Sequence, residues 1–492
     1  MQLLTDGAAL LDLPNADALE LATALTAAPP QGFLDAIPGA KTLLVLFDPA
    51  CFDLATLTST RGSMVHPPSR THRLRALYDG EDLPAISAQS GIAVAELVRL
   101  HTQAVHTVAF LGFAPGFAYL SGAPAPLSVP RLKTPRVRVA SGSLAVAGGY
   151  SGIYPGDTPG GWRLIGHVAE RMFDPEGSPP SLFRPGDRVI FEAVEQLPAI
   201  SALPSSPQEG RPLLRVITPG PYTSVQGGPR HGLSAFGVPA GGAMDLPALA
   251  AANALLGNAP DAAGLEFTLI GPELEAVAEV RVAVKGAVRD LRPGEKMKVG
   301  MLELGLRGYV AVEGGLAQAR RGDVMRRVQP ADVLRAELQR GVALLDATAL
   351  RSAFPIQAVP NSPAPGRDLE IRALAGPQFE HFDLPDRFFS AQYTLSPQSD
   401  RRGLRLQGEP LQPLRADIPP EGTAPGAVQV PGDGLPIVLG PDRPVTGGYP
   451  KIATVISADL PLLAQARPGT RIRFRRVDLA EALRARKGQG LP

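Results

Sequence analysis

The stretch Ser396-Pro-Gln-Ser-Asp-Arg-Arg402 carries six polar side chains in seven residues, and Asp442-Arg443, Thr446-Gly-Gly-Tyr449 and Lys451 follow it. Loops of this composition suit anion and metal–nucleotide contacts, because cations neutralise phosphate and an aspartate can hold Mg²⁺. A structural salt-bridge network is the competing account. A second cluster joins Pro130-Arg131, Pro135-Arg136 and Ser141-Gly-Ser143 to Gly152-Ile-Tyr-Pro155, Pro159-Gly-Gly-Trp162 and Gly166-His167. Guanidinium groups beside glycine-exposed amides suit carboxylate or phosphate recognition; a solvated arginine pair beside a buried tryptophan is the alternative. A third, Phe110-Leu-Gly-Phe-Ala-Pro-Gly-Phe-Ala-Tyr-Leu120, sets Gly112 and Gly116 around Pro115, with Phe113, Phe117 and Tyr119 as flat apolar walls. A rigid turn packing aromatics into a core would look the same.

Several familiar solutions are missing. The sequence has no G-x-x-x-x-G-K-[ST] loop, no HExxH and no paired-cysteine metal pattern. Met297-Lys298-Val299 has the look of a biotin-attachment hairpin but lacks the second methionine, so a surface turn is expected and no attached biotin. The single Cys51 excludes an internal disulfide and, flanked by apolar residues, reads as a buried small hydrophobe. Lys and Arg number 48 against 47 Asp and Glu, so no global field draws nucleic acid or an anionic membrane. The N-terminal stretch lacks a basic n-region and no apolar run approaches a bilayer span, so a soluble, cytoplasmic protein is expected.

The elements that must position these clusters are mostly strands. At 492 residues the chain exceeds one hydrophobic core. Its 53 glycines and 52 prolines punctuate short apolar runs, a pattern of many strands and tight turns. Before Val108 the chain reads as α/β: a helix over Asn15–Ala28 with Asn15 placed as cap, a strand over Lys41–Phe47, a connection over Ser59–Arg73, and helices over Leu83–Ser90 and Ala93–Gln103. Arg136–Val139, Leu144–Ala147 and Val280–Val284 read as strands, and Leu246–Leu256 as a helix capped by Asp245 and closed by Gly257. Pro198–Pro212 and Ala358–Arg367 read as linkers. A weak repeat relates Arg184–Phe191 to Arg467–Phe474 and Gly148-Gly-Tyr150 to Gly447-Gly-Tyr449, which makes Gly152–Gly166 look like an insertion into a shared barrel plan.

The text GFAPGFAYLSGAP, PRLKTPRVRVASGSLAVAGG and SGIYPGDTPGGWRLIG resembles the first subunit of the allophanate-hydrolase-like or kinase-inhibitor (Kip) family, associated with the B subunit of 5-oxoprolinase. From Val216, ITPGPYTSVQ, FGVPAGGAMD, AANALLGN, YTLSPQSDRRG and DRPVTGGYPKIATVISADLP resemble its partner, the C subunit, from the carboxyltransferase-domain family. The sequence departs from the family pattern at His106, Tyr150, His167, Ala240 and around Glu313–Arg321. The resemblance implies an α+β, mostly β chain: an N-terminal α/β domain (1–75), a cyclophilin-like barrel (76–200), a linker (201–212), a second barrel (213–357), a connection (358–367), a third barrel (368–480) and a tail (481–492). It implies ATP- and Mg²⁺-dependent opening of 5-oxoproline to glutamate, with this chain phosphorylating the lactam oxygen for a separately encoded A subunit.

On the matching motifs, Lys451, Arg443 and Arg401 are expected at phosphate or developing negative charge, with Asp400 or Asp442 at Mg²⁺. Arg131 and Arg136 are expected to face substrate carboxylate or nucleotide, between Tyr119 and Tyr154. Gly116, Ser141, Gln398, Ser399, Thr446, Gly447 and Tyr449 complete the expected contacts. A regulator of a histidine kinase without turnover, and a carboxyltransferase-like half of a urea-degrading system with a biotinylated partner, remain alternatives. Further oligomerisation is left open.

Overall fold

A computed structural model describes residues 1–59, 69–132, 136–175, 177–198, 210–317, 327–336 and 368–488. The expected linkers at 198–212 and 358–367, the connection at 59–73 and part of the 313–321 departure lie wholly or partly outside these residues.

Alternating apolar residues in Gln2–Thr5, Ala8–Asp12, Phe33–Pro38 and Thr42–Phe47 give both faces of an antiparallel sheet something to bury. One face takes the helix Asn15–Ala27, packing Leu21 and Leu25 against Leu11, Val45 and Phe47. The other face, with Leu4, Leu10, Ile37 and Leu44, packs on Ala424 and Val445 near the far end of the chain. Each such aliphatic side chain contributes about 1.5–3 kcal/mol gross. Asn15 is not the helix cap: Pro14 holds that position, and the Asn15 amide donates to Gly39 O at 2.8 Å. Cys51 is exposed rather than buried, because Phe47 and Phe52 stack at 5.0 Å and fill the space beneath the turn.

Two closed seven-stranded barrels follow the same plan. In the first, Thr71–Leu77 pairs in parallel with Arg188–Ala193 and antiparallel with Arg163–Val168. In the last, Leu369–Ala375 pairs in parallel with Arg471–Arg476 and antiparallel with Lys451–Val455. The other strands correspond one for one around the ring, and each barrel carries an extra two-stranded ribbon, Arg136–Val139 with Thr158–Gly160 and Glu421–Gly422 with Thr446–Gly447. The Arg-Pro-Gly turns match because each precedes its barrel's closing strand, with Gly186 and Gly469 both at φ +87°. The tyrosine half of the expected repeat is overturned. Gly148-Gly149 forms a hairpin turn, with Tyr150 opening the next strand, whereas Gly447-Gly-Tyr449 leads from ribbon to barrel. The counterpart of Thr446–Lys451 is Thr158-Pro-Gly-Gly-Trp-Arg163, so Gly152–Gly166 contains common strands and is not an insertion.

Between the barrels, where the resemblance implies a further barrel over 213–357, the described residues of a middle unit form two separate sheets around one core that includes Val216, Phe267, Val282 and Val310. Its helix Leu246–Ala254 is capped as expected, Asp245 accepting the Ala248 N–H at 3.0 Å. Lys298 sits on the exposed side of the strand Lys296–Met301, between buried Met297 and Val299, rather than on a turn. No helix among the described residues is long and apolar enough to cross a membrane.

Candidate functional site at the seam of the two halves

The loop between Leu111 and Ala118 leaves the first barrel with the aromatic side chains of Phe110, Phe117 and Tyr119 turned into a cluster with Tyr154 and Trp162. Phe110 stacks on Tyr119 at 4.4 Å, and Phe117 meets Trp162 edge-on at 5.3 Å. That rigid floor presents the loop backbone outward. The Phe113 N–H donates to Thr446 Oγ1 at 2.9 Å, and the Thr446 hydroxyl donates in turn to Tyr119 Oη at 3.3 Å. Gly112 must lack a side chain here, since a Cβ would collide with Thr446. Gly116 donates its N–H to Phe236 O at 2.8 Å in the middle unit. Gly241 donates to Pro441 O at 3.3 Å, and Arg401 Nη2 to Gly242 O at 2.7 Å. Four stretches far apart in sequence, 110–120, 234–245, 396–402 and 441–451, therefore meet at one place.

Arg131 bridges the halves at the rim. Its guanidinium lies 5.8 Å above the Tyr449 ring and 3.4 Å from Asp417, and a Cβ at Gly448 would occupy its space. The arrangement leaves a partly exposed cation, with one long ion pair among the described residues, beside an aromatic face. Burial pushes the Tyr119 and Tyr449 hydroxyls up, so both stay protonated donors at neutral pH.

Beneath the rim, Lys451 is fully buried and its Nζ lies 2.7 Å from Glu421 Oε1. Gln378 donates its amide to the same oxygen at 2.9 Å and accepts the Lys451 N–H at 3.0 Å. The neighbouring Gln429 Nε2 is buried without a partner. Arg443, 1% exposed, donates Nε to Thr423 O at 2.8 Å, and burial pulls its guanidinium down to about 10.

Other expected residues are placed differently. Asp442 gives both oxygens to Arg401, at 2.7 and 2.9 Å, and Arg401 also reaches Glu266 at 2.6 Å. Burial opposes ionisation of Glu266, yet Arg401 and Arg307 outweigh it and hold the carboxyl below its usual range. Arg401 and Asp442 thus form a buried ionic triad with Glu266, so both Asp442 oxygens face Arg401 in an ion pair, where the sequence expected Mg²⁺. Arg136 is taken by Glu81 at 2.7 Å and Asp82 at 2.8 Å. Asp400 accepts the N–H groups of Arg402 and Gly403, while Ser399 Oγ accepts that of Arg405. Exposed Gln398 shares that turn, donating its N–H to Ser396 Oγ at 3.2 Å. Ser141 donates to Pro155 O at 3.1 Å on another turn. Tyr154 is buried in the aromatic floor, its hydroxyl against Gly160. The structure brings together Arg131, Tyr119, Gly116, Thr446, Gly447, Tyr449 and Lys451, and adds Glu421 and Gln378, which the sequence did not single out.

The fold and this seam define a carboxyltransferase-domain protein. Residues 3–183 match the family model "Carboxyltransferase domain, subdomain C and D", and residues 236–476 match "Carboxyltransferase domain, subdomain A and B". The chain belongs to the carboxyltransferase-domain family that includes the B and C subunits of 5-oxoprolinase. It is 34% identical over 304 residues to the 5-oxoprolinase C subunit of Escherichia coli K12, covering 56% of this chain and 95% of that one. It is 37% identical over 167 residues to the 5-oxoprolinase B subunit of Escherichia coli O157:H7, covering 32% and 77%. The crystal structure of TTHA0988 superposes with a TM-score of 0.79 at 33% identity, covering 95% of this chain and 99% of that one.

Proposed function

We propose that this chain is the B- and C-like component of an ATP-dependent 5-oxoprolinase, activating the lactam by phosphorylation for a separately encoded A subunit. The observation that carries this reading is the Phe113–Thr446 seam. Stretches that resemble the B subunit, together with stretches that resemble its C partner, complete one site with a cation, hydroxyl donors and aromatic walls.

The reaction needs such parts. A lactam carbonyl is a poor electrophile, and phosphorylating its oxygen supplies a good leaving group. Arg131 is suited to the substrate carboxylate, and the flat faces of Tyr449 and the aromatic floor to a five-membered ring. Tyr119, whose own hydroxyl proton stays free while it accepts from Thr446, can donate toward the lactam oxygen, with Thr446 holding its orientation. Lys451, behind the glycine turn, is charge-balanced by Glu421 and fixes the turn that carries Thr446 and Tyr449. Among the described residues no cluster of three His, Cys, Asp or Glu side chains is spaced to hold a metal, and Mg²⁺ is assigned to the nucleotide it arrives with.

The test is to mix the purified chain with Mg-ATP, 5-oxoproline and its organism's A subunit, and to follow glutamate and phosphate. Glutamate that requires every component supports the reading. Intact ATP and no glutamate would instead favour a binding protein without turnover.

A further inference from the structure

A buried arginine normally has a carboxylate to itself, since an uncompensated charge in the interior costs several kcal/mol. Arg443 does not. Its Nε donates to Thr423 O, and Nη2 is buried without a partner among the described residues. The two carboxylates whose fields reach it are engaged elsewhere. Asp442 is bound at both oxygens by Arg401. Asp35, from the N-terminal sheet, accepts the Gly232 N–H at 3.0 Å and the Ser234 hydroxyl at 2.7 Å.

Those last two bonds anchor the loop that carries His231, whose Nδ1 is also buried and unpartnered. His231 lies within the field of both Arg443 and Asp35. The bonds to Asp35 tie the His231 loop to the N-terminal sheet, whose Ile37 packs on Val445 two residues from Arg443, and both donor-capable nitrogens lack a partner among the described residues. Buried polar groups in native proteins are almost always paired.

We propose that Arg443 and His231 together hold a small tetrahedral oxyanion of the phosphate class, at the junction of the N-terminal sheet, the middle unit and the last barrel. An oxyanion accepts from the free edge of a guanidinium and from an imidazole N–H, and it neutralises the charge that the protein leaves bare. Access runs from the His231 side, because His231 is half-buried while Arg443 is 1% exposed. This deepens the function proposed above, by giving the phosphate it handles a place, and rests on that reading for the ion's source.

The experiment uses the full chain on its own, with no partner added. Orthophosphate, ADP and adenosine are titrated separately, read by calorimetry and by the thermal midpoint, with chloride at matched ionic strength as control. Saturable binding of orthophosphate is expected, weakened about tenfold or more in Arg443→Met and His231→Phe, as loss of a charge-assisted hydrogen bond predicts. Binding of ADP with the same dependence on both residues, and none of adenosine, assigns the oxyanion to a nucleotide instead of free phosphate. No saturable binding, or binding unchanged in His231→Phe, overturns the proposal even if Arg443→Met fails to fold. Glutamate formation is scored apart from this. Phosphate binding without turnover leaves the site standing and removes the oxoprolinase reading, and turnover without phosphate binding does the reverse.

Discussion

Thr446 Oγ1 accepts the backbone N–H of Phe113 at 2.9 Å, a bond between residues 333 positions apart that joins the last barrel to the first. Gly112, with no side chain, leaves the space that the Thr446 side chain fills, and Gly447-Gly448 of the same turn carry no side chain that could serve instead.

Thr446→Val keeps the shape and removes the acceptor. It is expected to destabilise the chain by about 1–3 kcal/mol, the cost of a buried unpaired N–H. Thr446→Ser should restore most of the loss. Denaturant midpoints, with glutamate formation measured in parallel, check both statements; equal stability of the valine variant would rule the bond out as a determinant of the seam.

Gly448→Ala places a methyl where the Arg131 guanidinium lies. The variant should fold, raise KM for 5-oxoproline more than it lowers kcat, and couple to Arg131. The double variant with Arg131→Ala is expected to be no worse than Arg131→Ala alone, and additive losses in the cycle would contradict the contact.

Arg401→Met takes the ion-pair partner from buried Glu266 and Asp442, at a cost of about 3–5 kcal/mol. Adding Glu266→Gln and Asp442→Asn should recover a large part of that. Lys451→Met should behave alike, with Glu421→Gln as its rescue, yet without return of activity. Recovery of activity in the Lys451 double variant would reduce that lysine to a structural role.

Within the first barrel, His101 and His106 are both fully buried, their rings 4.6 Å apart. Burial, and for His101 also the His106 charge, lowers both below 6.5. The unfolded chain therefore binds more protons than the folded one once pH drops under that value. Stability from this pair is present above about pH 6.5 and is lost as pH falls below it. His106→Phe should flatten the acid limb of a plot of melting midpoint against pH, and an unchanged slope would show that other groups govern it.

Much of the scaffold was readable from periodicity. The helix at Leu83–Ser90 and the Asp245 cap lie where apolar spacing and turn residues put them. The site was less so, because an arginine's role is decided by which acid reaches it. Arg131 and Arg136 look alike in sequence, but Asp82 and Glu81 occupy one and only Asp417, at 3.4 Å, approaches the other. Glu421 stands in a proline- and glycine-rich stretch with no pattern to mark it, and only pairing of Glu421–Gly422 with Thr446–Gly447 brings it to Lys451. The repeat misled for a related reason: two Gly-Gly-Tyr triplets looked equivalent, while the true counterparts differ in the order of aromatic and proline.

The apolar face formed by Leu4, Leu10, Ile37 and Leu44 finds apolar cover at Ala424 and Val445. A ribosome adding about 5–20 residues per second needs roughly 20 to 80 s to make the intervening chain. Throughout that interval the newborn amino-terminal sheet lacks the cover that Ala424 and Val445 give it. Production of this protein is thus a race between translation and aggregation, and slow codons or cold growth would lengthen the odds against it.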